Sequence, residues 1–217
     1  MQRLTQTRIT GLLGLAWLVL FAVGGPVLQG RPPSLDTSIA VLRATYDAHG
    51  TRYLTGDFIA ACGFSLCLVP FAAFLPSALA DRPHAAWSRL VTASAVALTV
   101  TGGAATAFLD AVAMSHGSPA LDDATVTALL YANAAGIALI GLPAALFATS
   151  AAALLWRASA RATAVVGWFA ATLLIAGAAF PLGTADGPLW TIRFAGFLAL
   201  AAFVLATSVT LLRRPSA

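Results

Sequence analysis

"VTALLYANAAGIALIGLPAALFATSAAALL" runs from Val126 to Leu155 and holds no charged side chain in thirty residues. A helix needs ~20 predominantly apolar residues to cross the ~30 Å hydrocarbon core of a bilayer. At ~1.5 Å per residue this stretch is long enough to tilt or to project beyond that core. It is rich in Ala, Leu and Gly and lacks the apolar–polar alternation of a barrel strand. The spacing predicts a transmembrane α-helix with Pro143 inside it.

Five more runs of the same kind flank it. They are Ile9–Leu28, ended by Gly24-Gly25-Pro26; Leu54–Leu79, with Pro70 inside; Leu90–Ala113, with Gly102-Gly103 at its middle; Ala162–Pro181; and Pro188–Leu212. Proline is tolerated in such helices where neighbours re-satisfy the freed carbonyls, so Pro70 and Pro143 predict kinks. The 217-residue chain is 59% hydrophobic and 9% charged. A soluble domain carries roughly 25% charged residues, too many for this composition to match. The expectation is one all-α polytopic domain over residues 1–217, with six transmembrane helices and no internal repeat or linker.

The formal charge is +4, with twelve arginines and neither Lys nor Glu. In a soluble protein that balance suggests nucleic acid. Here the arginines sit at span ends, where topology explains them. Arg3, Arg8, Arg82, Arg89, Arg157, Arg161, Arg213 and Arg214 fall on one side, and Arg31, Arg43, Arg52 and Arg193 on the other. Seven aspartates lie on that second side, and only Asp81 on the first. Excess arginine marks cytoplasmic loops, so both termini are expected in the cytoplasm. The charged start and first apolar run also fit a signal peptide. The segment after "AVGGPVLQG" lacks a small-x-small cleavage site, so a retained first span is expected.

The first outer loop is the longest. In "RPPSLDTSIAVLRATYDAHG" Leu35, Ile39, Leu42 and Tyr46 recur at helical spacing. The pattern predicts a short amphipathic helix, capped by Ser34 or Asp36 and ended at His49-Gly50. It would lie at the outer interface or over the mouth of the bundle.

Charges within hydrocarbon are costly and usually face the bundle interior. Four polar residues lie inside the spans. Asp57 and Asp110 fall ~5 Å from the outer ends of their spans and Arg193 ~8 Å, with Asn133 about two turns in. Each has a small residue three, four or seven positions away on its own face: Ala60 and Ala61 for Asp57, Gly103 for Asp110, Gly136 for Asn133 and Gly196 for Arg193. Small residues favour close helix contact, so these side chains are expected to point inward. Arg193 is expected to pair with Asp57 or Asp110, which offsets the cost of burying either. Its long stem also permits snorkelling to the outer surface. Tyr46 and His49, in the loop helix above, complete the expected ligand-binding set. Tyr53, Trp17, Trp156, Trp168 and Trp190 read as packing or interfacial anchors.

Other function classes have no residues to carry them. There is no phosphate-binding glycine loop and no metalloprotease motif. There is no Ser/His pair within the spans, no paired intramembrane histidines for haem and no run of gating arginines. Cys62 and Cys67, five apart, point well apart on an α-helix, and three scattered histidines make no ligand cluster. No metal, cofactor or nucleic acid is expected.

The stretch "IAVLRATYDAHGTRYLTGDFIAACGF", following a first span that ends in Gly-Pro, resembles small polytopic membrane proteins of high-GC Gram-positive bacteria. Tyr46 and His49 match an outer helix before their span two, and "RATAVVGWFAATLLIAG" is similar to their entry into span five. The resemblance implies six helices and cytoplasmic termini in a bacterial inner membrane, and it implies no activity. The expected function is a non-enzymatic membrane protein with an extracytoplasmic polar pocket. The expected partners are membrane lipids, a hydrophobic small molecule, and a second copy or an accessory protein. The alternatives are an integral-membrane enzyme with an Asp as general acid, as in terpene cyclisation, and a small transporter subunit.

Overall fold

The computed structural model describes residues 2–30, 37–80, 84–115, 121–178 and 188–214. Among them there is no strand. Seven α-helices form: α1 (Gln2–Ala22), α2 (Ile39–Cys62), α3 (Val69–Leu79), α4 (Ala85–Met114), α5 (Asp123–Arg157), α6 (Arg161–Ala178) and α7 (Pro188–Leu212). Two π-helical segments extend this set, Val23–Gln29 after α1 and Gly63–Leu68 between α2 and α3. Six of the resulting rods are long and apolar enough to cross a membrane. Their lipid-facing surface agrees with that role, since Phe58 is 70% and Leu66 67% exposed. Isolated exposed apolar groups are ordinary, but large ones around a whole bundle are not a water-facing surface.

Each span packs on its sequence neighbours, and α7 returns to α1, so the bundle closes on itself. We call the end bearing both termini proximal and the other end distal. Pro70 is accommodated by a change of helix type. Proline lacks an N–H, and its ring clashes with the carbonyl four residues back. Immediately before it the backbone widens to π geometry, and the Val69 amide reaches back five residues to Phe64 O. Pro26 lies inside the other π segment, where Gly30 N bonds Gly25 O at 3.1 Å. α5, by contrast, stays α-helical through Pro143.

α5 is the most enclosed of the six spans. α3, α5 and their neighbours form the main core in the proximal half, around Trp17, Phe71, Leu75, Phe147, Leu155 and Phe203. A second cluster fills the distal half, where Leu42 and Tyr46 meet Leu109, Val112, Val126 and Leu130.

That second cluster corrects the expected loop helix. Ile39 to Cys62 is one helix, continuous with span two, and His49-Gly50 does not end it. The buried face Leu42, Tyr46, Gly50 carries on in register, and apolar packing on α4 and α5 holds the helix through the glycine. Ser38 caps its start by accepting from the Val41 amide, whereas Ser34 and Asp36 lie outside the described residues. The expected Pro181 end of span five also lies outside them, and α1 begins at Gln2 rather than Ile9. Distally, α2, α4 and α5 form a three-helix cap. Arg43 Nη2 ties it by donating to Asp123 Oδ1 at 2.9 Å and to Leu121 O at 2.6 Å.

Candidate functional site

Spans one and two cross where both are glycine. A Cβ on Gly56 would lie 2.5 Å from the Gly24 carbonyl oxygen, and one on Gly24 2.5 Å from that of Gly56. Two backbones in such contact bring their flanking side chains together. Arg52 Nη2 donates to Val27 O at 2.6 Å, and Gln29 Nε2 donates to Asp57 Oδ1 at 2.9 Å. The π turn matters here, because it carries the end of span one far enough round for Gln29 to reach α2.

Asp57 then meets span three. Its carboxyl lies within hydrogen-bonding reach of Asp110 on α4. Asp110 Oδ1 is buried with no donor among the described residues. Above the pair stand two tyrosines of α2. Tyr46 is 3% exposed, and its ring meets Tyr53 edge-on with centroids 5.1 Å apart. Both phenols lie within electrostatic range of Asp57 and Asp110. The site is thus two carboxyls, one amide and two phenols, contributed by three spans.

Its depth follows from the helix rise. A ~30 Å core holds ~20 residues of helix. Counted from the proximal ends of α3 and α4, that length ends within about a turn of Asp57 and Asp110. The pair stands at the distal apolar–polar boundary, with Tyr46 and Tyr53 in the cap beyond it.

Three expected site residues are not part of this cluster. Asn133 is buried, and its Nδ2 donates to Ala105 O at 2.9 Å. That bond fastens α5 to α4 where Gly136 also meets Ala105, so its amide is committed to packing. His49 is exposed and enters no hydrogen bond or ion pair among the described residues. Arg193 is buried, at 9% exposure, but no ion pair joins it to Asp57 or Asp110. The reason is lateral rather than axial. α7 packs on α6, α1 and α5, while the aspartates stand on α2 and α4. Arg193 instead sits at the α6–α7 crossing, its Cα 2.5 Å from where a Gly177 Cβ would be. The expectation rested on depth along the helices and on charge, and neither says which helices are neighbours around the ring.

Two members of the cluster escaped the sequence reading. Tyr53 lies seven residues after Tyr46, a two-turn spacing that places both on one face once the helix is unbroken. Gln29 gives no signal, because its reach depends on the π turn.

Like charges this close repel unless a proton or another cation lies between them. Gln29 supplies one donor to Asp57, leaving most of the acceptor capacity of the pair unused. Aromatic rings beside carboxylates are a setting in which organic ammonium groups are held. Among the described residues no group of three or more His, Cys, Asp or Glu side chains is placed to hold a metal ion. Cys62 and Cys67 are both free thiols. No protein-family model, curated protein or solved structure matches the chain.

Proposed function

We propose that the chain is a non-enzymatic, ligand-binding protein of a bacterial cytoplasmic membrane, with its distal cap outside and both termini in the cytoplasm. The arginine and aspartate distribution supports that orientation. The likeness to small six-helix proteins of high-GC Gram-positive bacteria supports the setting. The ligand is a hydrophobic small molecule with a cationic head. Its ammonium group sits on Asp57 and Asp110, and Tyr46 and Tyr53 wall it. One observation carries this reading: two carboxyls in mutual reach at the apolar–polar boundary, with one neutral donor, Gln29, to Asp57 among the described residues.

The test is thermal stabilisation of the detergent-purified protein by octylammonium, with octanol and octyl sulfate as uncharged and anionic controls. Octylammonium is expected to stabilise most, and Asp57→Asn with Asp110→Asn to abolish the difference. Equal responses to octylammonium and octanol in the parent protein would overturn the reading.

The buried Asp110 Oδ1, with no donor among the described residues, favours a second reading. A carboxyl holding a proton there is a general acid, as cation-initiated isoprenoid cyclisation requires. Conversion of a linear isoprenoid diphosphate or epoxide to a cyclic product, lost in Asp110→Asn, would establish the enzyme in place of the binding protein.

A further inference from the structure

We propose a second, separate site: a groove at the proximal end, between spans two and three, that holds an anionic glycerophospholipid of the adjacent leaflet. The groove has a volume of about 560 Å³ and lies open on the outer surface of the bundle. Ala73 and Pro76 of α3 face Ala93 of α4 across it, with Ser77, Thr92 and Arg89 towards its proximal rim. Small side chains on both walls make room for a linear acyl chain alongside the helices.

The polar rim selects the head group. Its hydroxyls already donate to backbone: Ser77 Oγ to Phe74 O at 2.9 Å and Thr92 Oγ1 to Ser88 O at 3.2 Å. They cannot serve as the main donors to an anion. Arg89 can, for its side chain is exposed and enters no hydrogen bond or ion pair among the described residues. One turn before Arg89 is the start of α4. His84 stands at its N-cap without a side-chain cap, and the first helical bond is Ser88 N to His84 O at 3.0 Å. The amides ahead of Ser88 therefore lack helical partners and point out of the helix end, favouring negative charge. The Arg89 guanidinium is the charged group at the rim of this apolar channel.

The charge distribution favours an anionic lipid over a zwitterionic one. All five described aspartates, Asp47, Asp57, Asp110, Asp122 and Asp123, stand towards the distal end. The proximal end carries Arg8, Arg89, Arg157, Arg161, Arg213 and Arg214, and the sequence joining α3 to α4 adds one aspartate, Asp81, and one arginine, Arg82. A basic residue near a membrane surface attracts anionic lipid by about fivefold in affinity.

The experiment is native mass spectrometry of the full chain titrated with phosphatidylglycerol, with phosphatidylcholine of the same acyl chains, and with inorganic phosphate. Phosphatidylglycerol is expected to bind first and about fivefold more tightly than phosphatidylcholine. Arg89→Gln should reduce it to the phosphatidylcholine level, and Ala93→Trp, which fills the channel, should weaken both lipids. Arg161→Gln removes the same charge elsewhere on the proximal end and should leave the preference intact. An unchanged preference in Arg89→Gln overturns the proposal, as does equal loss in Arg161→Gln. Displacement of phosphatidylglycerol by millimolar phosphate would also overturn it, since the channel would then contribute nothing.

Discussion

The carboxyls of Asp57 and Asp110 face each other across the α2–α4 contact, and Gln29 holds Asp57 from span one at 2.9 Å. Three spans therefore meet through one carboxyl. Replacing Asp110 with Asn turns two acceptors into an acceptor and a donor and removes the repulsion. We expect Asp110→Asn to lie within ~1 kcal/mol of the parent in denaturant unfolding, or above it. Asp57→Leu strands the Gln29 amide and removes the counterpart of Asp110, and should cost ~1–3 kcal/mol. A larger loss in Asp110→Asn than in Asp57→Leu would contradict this ordering.

Asp122 caps α5, and its dependence on pH has a definite sign. Its carboxylate is held below the usual range by the Thr125 hydroxyl and by the Thr125 amide, which donates to Oδ1 at 2.7 Å. A carboxyl with a depressed folded-state value contributes stability that is present above its unfolded value, near pH ~4, and lost as pH falls through the folded value. Hydrogen exchange at the Thr125 amide should be slow at pH 6 and should accelerate, relative to its intrinsic rate, below about pH 4. Asp122→Ala should exchange fast at both, whereas Asp122→Asn, also a good cap, should remove only the pH dependence.

Glycines of different surroundings should respond in opposite directions. A Cβ on Gly177 would meet Arg193 Cα at 2.5 Å, so Gly177→Ala must push α6 from α7 and should cost ~1–3 kcal/mol. A Cβ on Gly103 meets nothing within 4 Å, and there the helix gains from lost backbone freedom. Gly103→Ala should stabilise by ~0.5–1 kcal/mol. Thermal unfolding of the two variants in one detergent measures the contrast, and a stabilising Gly177→Ala would refute the close crossing.

Orientation is tested by labelling intact cells with an impermeant thiol reagent, in a background with Cys62 and Cys67 replaced by Ala. Ala124→Cys, exposed on the distal cap, should label, and Ser88→Cys at the proximal end should not. The reverse pattern would invert the proposed topology.

The spans were legible because their signal is length and composition, which neighbours scarcely alter. The ring order of the helices was not. Arg193 and the aspartates share a depth that counting residues reveals, but which helices touch is settled by small-residue contacts such as Gly177 on Arg193 and Gly56 on Gly24. The carboxyl pair was half legible: Asp57 and Asp110 stood out as charges in apolar runs, without any sign that they meet. Gly50 misled, because its usual weakness for helix was overridden by burial between Tyr46 and Tyr53 on a face that packs on α4 and α5. Arg43 and Arg52 blur the charge asymmetry for a structural reason, since both are engaged in tying the distal cap to its neighbours.

The π segment at Gly63–Leu68 makes span two sensitive to the count of its residues as well as to their identity. A wide turn holds about one residue more than an α turn. Deleting one residue there lets the helix revert to ordinary winding with cap and proximal core still in phase, but it sets the Pro70 ring against the carbonyl four residues back. Deleting a second residue would re-phase everything beyond by ~100° and turn Phe71, Leu75 and Leu79 from the core to lipid, while the Asp57 end stayed anchored. A chain that keeps its cap and its proximal core together must therefore conserve segment length here more strictly than in its loops, even where the residues themselves are exchangeable.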